Sequence, residues 1–215
     1  MNKWEELCHM AANADIIGVT ETWLCADFEA HILLPSGFTG YRVEKPGRGI
    51  GGGVLLLVRD AYLQAEGSSL RTSNIQAVEC KVDTDNWQGS ILLVYRSPSA
   101  EQVESEELNL WIHLVFRDAK GFLLMGDFNM PDIDWAREWS RPDTVDGNFL
   151  HLVTELGLCQ HVLRPTRYRS GQVPSTLDLV FTRYEQELDT VCLQEPLGRS
   201  DHVVIAANLG IRGTQ

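Results

Sequence analysis

Five short, mostly apolar runs set the strongest limit on what this chain can fold into. They occupy residues 14–20, 53–59, 77–82, 90–95 and 121–125, are rich in Val, Ile and Leu, and are bounded by Gly, Asp or Pro. Runs of this length are too short for buried helices. Because they are apolar at odd and even positions alike, they need cover on both faces. The cover comes from helical stripes: Leu108, Leu110, Trp111, Leu114 and Val115 over 104–119, and Phe149, Leu150, Val153 and Leu156 over 146–156. Trp4, Leu7, Cys8 and Ala11 repeat at helical spacing ahead of the first run, and three later strands are expected over 176–182, 188–193 and 202–209. Many strands, few helices and no repeat period predict a mixed α/β fold of two packed sheets flanked by helices. With no linker dividing them, residues 1–215 read as a single domain.

Charge narrows the function classes. Eighteen Lys and Arg stand against thirty Asp and Glu, a formal net charge of −12, which excludes a polybasic arm for nucleic acid or membrane. A nuclease is not excluded, because carboxylates gathered around a divalent cation count as negative while the cation is absent from the sequence. The five cysteines (Cys8, Cys25, Cys80, Cys159, Cys192) include no Cys-x-x-Cys pair, so reduced thiols are expected. No apolar run approaches the ~20 residues that cross a bilayer, and the start of the chain lacks a secretory pattern, so the expected setting is intracellular and without membrane. Gly47, Gly49 and Gly52 satisfy Gly-x-Gly-x-x-Gly, but a strand follows where dinucleotide binding needs a helix. The stretch reads as a hairpin-like surface loop.

In an α/β protein the informative polar residues are those directly after buried strands, where loops converge on a rigid scaffold. Four such places stand out: Glu21 after the first run, Tyr95 and Arg96 in Tyr-Arg-Ser-Pro, Asp127 and Asn129 in Gly-Asp-Phe-Asn, and Asp201 and His202 opening the last strand. Oxygen donors in that number suit a hard cation such as Mg²⁺, with Glu21 as the candidate ligand. Asp127 and Asn129 lie two apart, so on an extended segment both point to one side, one orienting a water and the other holding a phosphate oxygen. His202 can stabilise phosphoryl charge as imidazolium if a carboxylate holds its other nitrogen, and Asp178, a charge in an apolar strand, is the candidate partner. Taken singly, each of these reads as a turn, a cap or a solvated residue. Their joint occurrence in this order, each at a strand end, points to a site.

These residues carry a resemblance. Thr-Glu-Thr-Trp-Leu, Tyr-Arg-Ser-Pro, Gly-Asp-Phe-Asn, Ser-Thr-Leu-Asp-Leu-Val-Phe and Ser-Asp-His, in order over nearly the whole chain, resemble the endonuclease/exonuclease/phosphatase superfamily. Ile17 to Trp23, Gly51 to Leu55, Gly126 to Trp135 and Pro165 to Arg167 are similar to endonuclease domains of non-LTR (LINE-type) retrotransposons. The resemblance implies a four-layer α/β sandwich and Mg²⁺-dependent phosphodiester hydrolysis, with Mn²⁺ as an alternative cation. One DNA strand would be nicked to leave a 3′-hydroxyl for a reverse transcriptase domain or protein of the same element, in the nucleus where the substrate is chromosomal DNA. It implies that Glu21 binds the metal, Asp201 sits in the metal region and Asp127 positions the attacking water. Asn129 would hold the phosphate, Tyr95 would bind phosphate or assist the leaving oxygen, and His202 with Asp178 would stabilise the transition state. Arg48, Arg96, Arg167 and Arg169 are the candidate phosphate contacts.

One departure stands out. Family members begin with a strand that carries an Asn near its end and precedes the helix already under way here at Trp4. The chain therefore resembles an N-terminally truncated copy in which fold is better preserved than activity. Two other readings follow: a catalytically impaired remnant or interaction module, and a phosphomonoesterase of the same fold.

Overall fold

The structure is a computed structural model and describes residues 3–24, 34–47, 51–84 and 87–210. Helix α1 (Lys3–Ala11) leads into β1 (Ile16–Thr20), followed by β2 (Phe38–Val43) and β3 (Val54–Arg59). These three strands form an antiparallel sheet in the order β1-β3-β2. β3 is its centre because Val54 to Val58 are aliphatic at every position, which suits a strand covered on both faces; all five are buried.

A six-stranded sheet holds β4 (Leu63–Arg71), β5 (Ile75–Asp83), β6 (Gln88–Arg96), β7 (Gly121–Asp127), β8 (Cys159–Gln160) and β9 (Asp178–Thr182), in the order β4-β5-β6-β7-β9-β8. Among the described residues only β6 and β7 run parallel, and α2 (Gln102–Asp118) makes the crossover that a parallel pair requires. α3 (Val145–Glu155) starts at Thr144, whose hydroxyl accepts the Gly147 N–H at 3.0 Å. The chain ends in a two-stranded ribbon, β10 (Cys192–Gln194) with β11 (Val204–Ala206).

Three apolar clusters separate four layers. Leu7 and Ala11 of α1 pack on Ile17, Leu55 and Leu57 of the small sheet. The opposite face of that sheet, with Val54, Leu56 and Val58, meets Val78, Ile91 and Leu93 of the large one. The far face of the large sheet, with Leu92, Leu124 and Phe181, is covered by Leu108 and Ile112 of α2 and Phe149 of α3. This is the four-layer α/β sandwich. All five apolar runs lie in strands, and both central helices fall within two residues of expectation. Three strands were not expected: β2 (FTGYRV), the two-residue β8, and β4, which is mostly exposed and polar and so carries no apolar run. The late strands are shorter than expected. In place of 188–193 and 202–209 the strands are Cys192–Gln194, which runs one residue past the expected end, and Val204–Ala206, which pair only with each other. Arg48 and Cys25 lie outside the described residues, and the four described cysteines are free thiols.

One buried acid ties α2 to the sheet. Glu104, 9% exposed, accepts the backbone N–H of Asn74 at 3.0 Å, the Asn74 side-chain amide at 3.0 Å and the Glu101 N–H at 2.9 Å. Burial alone would raise its carboxyl, but bonds from Thr72, Asn74 and Glu101 outweigh it and bring the pKa down to about 2. The folded value is below the unfolded one, so this stabilisation is full above the ordinary carboxylate pKa and is lost as pH falls toward 2. Glu104→Gln is therefore expected to lose roughly 2 kcal/mol at pH 7, as for hydrogen bonds to a charged group, with the difference from wild type shrinking below pH 4. Urea unfolding at several pH values measures it.

Candidate functional site

Four neighbouring strands of the large sheet end on one row. Gln76 on β5 lies opposite Tyr95 on β6, Tyr95 opposite Asp127 on β7, and Asp127 opposite Asp178 on β9. Residues opposite one another on adjacent strands share a face. Sheet register alone therefore gathers a carboxamide, a phenol and two carboxylates.

His202 joins the row from the segment before β11. Its Nδ1 meets Asp178 Oδ2 at 2.8 Å. Thr166, fully buried, holds the two sides together: its hydroxyl accepts the N–H groups of Leu177 (3.1 Å) and Asp178 (3.0 Å), while its carbonyl accepts the Val203 N–H at 2.9 Å. Burial works against the His202 imidazolium, but the hydrogen bond and charge of Asp178, then Asp127 and Asp201, lift its pKa above the ordinary histidine value. Asp127 is 5% exposed; burial first, then the Asp178 carboxylate, raises its carboxyl, with His202 and the Asn129 N–H acting against that rise.

Glu21 reaches the row through Tyr95. It follows β1 in a left-handed conformation (φ 52°), and its Oε2 accepts the Gly52 N–H at 2.8 Å and the Trp23 indole N–H. The Tyr95 hydroxyl is hydrogen-bonded to Glu21, and burial, then that bond and the negative charge of Glu21 and Asp127, hold it protonated well above the usual phenol range. Gln76, fully buried, accepts the Gly53 N–H at 3.0 Å. The glycine loop expected at the surface thus docks its end against the candidate metal ligand.

All seven candidate catalytic and metal residues line one cavity of about 1960 Å³, and so do Arg167 and Arg169. Three expectations change in detail. Asn129 is not on an extended segment with Asp127: it turns to φ 48°, its N–H donates to Asp127 Oδ1 at 3.2 Å and its amide to the Arg96 carbonyl at 2.9 Å. Arg96 does not line this cavity. It is 5% exposed and donates to the backbone carbonyls of Phe128 (3.5 Å) and Asn129 (3.2 Å), to Ser105 Oγ (3.1 Å) and to the Ala100 carbonyl (3.3 Å), so it shapes the Asp127 loop from behind. Asp201 stands apart from the row, because its Oδ2 accepts the Arg167 Nε–H at 3.1 Å. Burial raises the Asp201 carboxyl, but that bond and the nearby positive charge bring it below the ordinary range.

The tight group is instead Asp127, Asp178 and His202, whose ligand atoms lie within 4.8 Å of one another. Two carboxylates this close and this buried repel, and a divalent cation beside them removes the penalty, so the donor set fits a hard metal ion. Sequence reasoning missed Gln76 and Thr166. Gln76 was open to discovery as a polar residue inside an apolar strand, the signal that drew attention to Asp178.

The profile of the endonuclease-reverse transcriptase family matches residues 89–206, just over half of the chain. The chain belongs to that family. The matched segment holds Tyr95, Asp127, Asn129, Asp178, Asp201 and His202, but not Glu21. No curated protein matches the chain. Among solved structures it is similar to the endonuclease domain of TRAS1, a telomere-specific non-LTR retrotransposon, with a TM-score of 0.68 and 22% identity over 97% of this chain and 91% of that one. It is also similar to the AP endonuclease LMAP from Leishmania major (0.66, 12% identity, 94% and 80% covered) and the human Nocturnin catalytic domain (0.61, 16%, 97% and 88%). At these identities the likenesses establish the fold of this family member. Among its described residues no helix is long and apolar enough to cross a membrane.

Proposed function

We propose that this endonuclease-reverse transcriptase family member is a divalent-metal-dependent phosphodiesterase that nicks one strand of DNA. The observation that carries the reading is the meeting of Glu21, Tyr95, Asp127 and the Asp178–His202 pair around one cavity, from five separate segments of chain. In an in-line displacement the oxygen of water bonds to phosphorus as the bond from phosphorus to the 3′-oxygen breaks. Asp127 takes the proton of the water, and the protonated Tyr95 hydroxyl would turn from Glu21 to donate to the leaving oxygen, which departs as the 3′-hydroxyl. Asn129 has one amide N–H beyond its bond to Arg96 with which to hold a phosphoryl oxygen. His202, kept cationic and oriented by Asp178, stabilises the charge that builds on the phosphoryl group.

Glu21 and the Asp127 carboxylate would hold Mg²⁺, or Mn²⁺ in its place; when bound, the cation supplies positive charge beside the phosphoryl oxygens. Arg167 and Arg169, which line the same cavity, are the candidate contacts to the DNA backbone. The 3′-hydroxyl suits extension by a reverse transcriptase domain or protein of the same element, and chromosomal DNA as substrate would set the activity in the nucleus.

A supercoiled plasmid tests this. Wild-type protein with Mg²⁺ is expected to convert it to the open circle, and a chelator or Asp127→Ala to abolish conversion. Release of phosphate from inositol phosphates without nicking would favour the phosphomonoesterase reading. Neither activity from a folded chain would favour the impaired module.

A further inference from the structure

Trp23 is 64% exposed, yet the turn that carries it is fixed at three points. Its backbone N–H donates to the Gly52 carbonyl at 3.0 Å, the Thr22 N–H donates to the Gly53 carbonyl at 3.4 Å, and its indole N–H donates to Glu21 Oε2. Its φ of 55° lies in the left-handed region that a bulky side chain rarely enters, and Glu21, two residues earlier, stands at 52°. Taken alone, an exposed tryptophan needs no explanation. One held in a costly turn beside the candidate metal ligand does, because such conformations persist where surrounding bonds enforce them and gather at ligand clamps. The turn presents an indole whose polar edge is held by Glu21, while among the described residues no ring or cation stacks on its face.

The surroundings describe what the ring would take. Trp23 lines the same cavity as Glu21, Tyr95, Asp127 and Arg167. A Cβ on Gly51 would stand 4.0 Å from the indole nitrogen, and Lys45 packs beside Gly52, where a Cβ would meet its side chain at 3.3 Å. A single ring among Thr22, two glycines and a lysine offers no apolar core of the kind a protein partner needs. An aromatic face next to cations is what unpaired nucleobases stack on. Inside an intact duplex both faces of a base are covered, so this ring is open only to a base that is unpaired or turned out of the helix.

We propose that Trp23 is a stacking platform for one unpaired nucleobase, next to the phosphate that would sit at Glu21 and Asp127. The proposal rests on the nuclease reading and adds a substrate class to it: a strand that is single or locally unpaired at the cut.

Binding tests it, with Ca²⁺ in place of Mg²⁺ and at low salt. The full chain is titrated against two labelled strands of equal length and charge, oligothymidylate and the same backbone built of abasic tetrahydrofuran units, and fluorescence anisotropy is read. Wild type is expected to bind the thymidylate about tenfold or more tightly than the abasic strand, as one base–aromatic contact allows. Trp23→Ala is expected to lose that preference while keeping its affinity for the abasic strand, which shows the fold intact. Trp23→Phe loses the same indole N–H but keeps a ring, and is expected to retain most of the preference, so loosening of Glu21 is separated from stacking. No preference in wild type, or an equal preference in wild type and Trp23→Ala, would overturn the stacking role and leave the nuclease reading standing. Absence of binding to either strand would overturn it too, and plasmid nicking, read separately, then decides the nuclease reading.

Discussion

Alanine at His202 is expected to slow DNA nicking by about 10²- to 10⁴-fold, the range typical of a positioned acid or base. The imidazole sits 2.8 Å from Asp178 and lines the cavity that holds Asp127, so its loss removes a cation from the phosphoryl site without touching a core cluster. Asp178→Asn separates charge from position. Asparagine can still accept from Nδ1, but it no longer supplies the negative charge that lifts the His202 pKa. Activity that needs the imidazolium falls as pH rises through the His202 pKa, so the alkaline limb of the kcat profile is expected to move to lower pH in Asp178→Asn. The sign for stability is the same. The folded chain holds this proton more tightly than the unfolded one, so the pair contributes fully below about pH 6.5 and fades as pH rises through the folded value. Single-turnover nicking across pH, beside imidazole titration by NMR, measures both. An unmoved profile in Asp178→Asn would show that the pair serves structure alone.

How much of this was legible in the sequence depends on which force placed each group. β3, β6 and β7 could be read because burial on both faces demands aliphatic runs, and each polar residue at such a strand end was visible. That Tyr95, Asp127 and Asp178 fall on one row could not be read, because register is settled between strands that are far apart in the chain. The charge of Arg96 suggested phosphate, yet its position two residues from the buried Val94 left it inside, where backbone carbonyls take its donors. Asn129 failed for a local reason: the strand stops at Asp127, and Asn tolerates the left-handed turn that follows. β4 was invisible because an exposed edge strand needs no apolar pattern.

Gly126→Ala is expected to cost roughly 3 to 5 kcal/mol, combining a strained backbone with a steric clash. Gly126 has φ 146° and lies opposite Val94 at the parallel junction of β6 and β7. A Cβ there would stand 1.9 Å from the Val94 carbonyl oxygen and 2.8 Å from its nitrogen, and these are backbone atoms in the buried part of β6 that cannot turn aside. Gly171 supplies the comparison: it too has positive φ, 77°, but a Cβ would meet nothing within 4 Å. Gly171→Ala should therefore show the conformational cost alone, about 1 kcal/mol. Urea midpoints of the two variants separate strain from clash, and equal losses would refute the close approach. Asp127 is the next residue, so relief of the clash by separating β6 from β7 also moves the carboxylate away from Tyr95. A displacement near 1 Å is enough to lower catalysis about 10²-fold. Nicking by the fraction of Gly126→Ala that remains folded should fall accordingly, while Gly171→Ala should keep its activity.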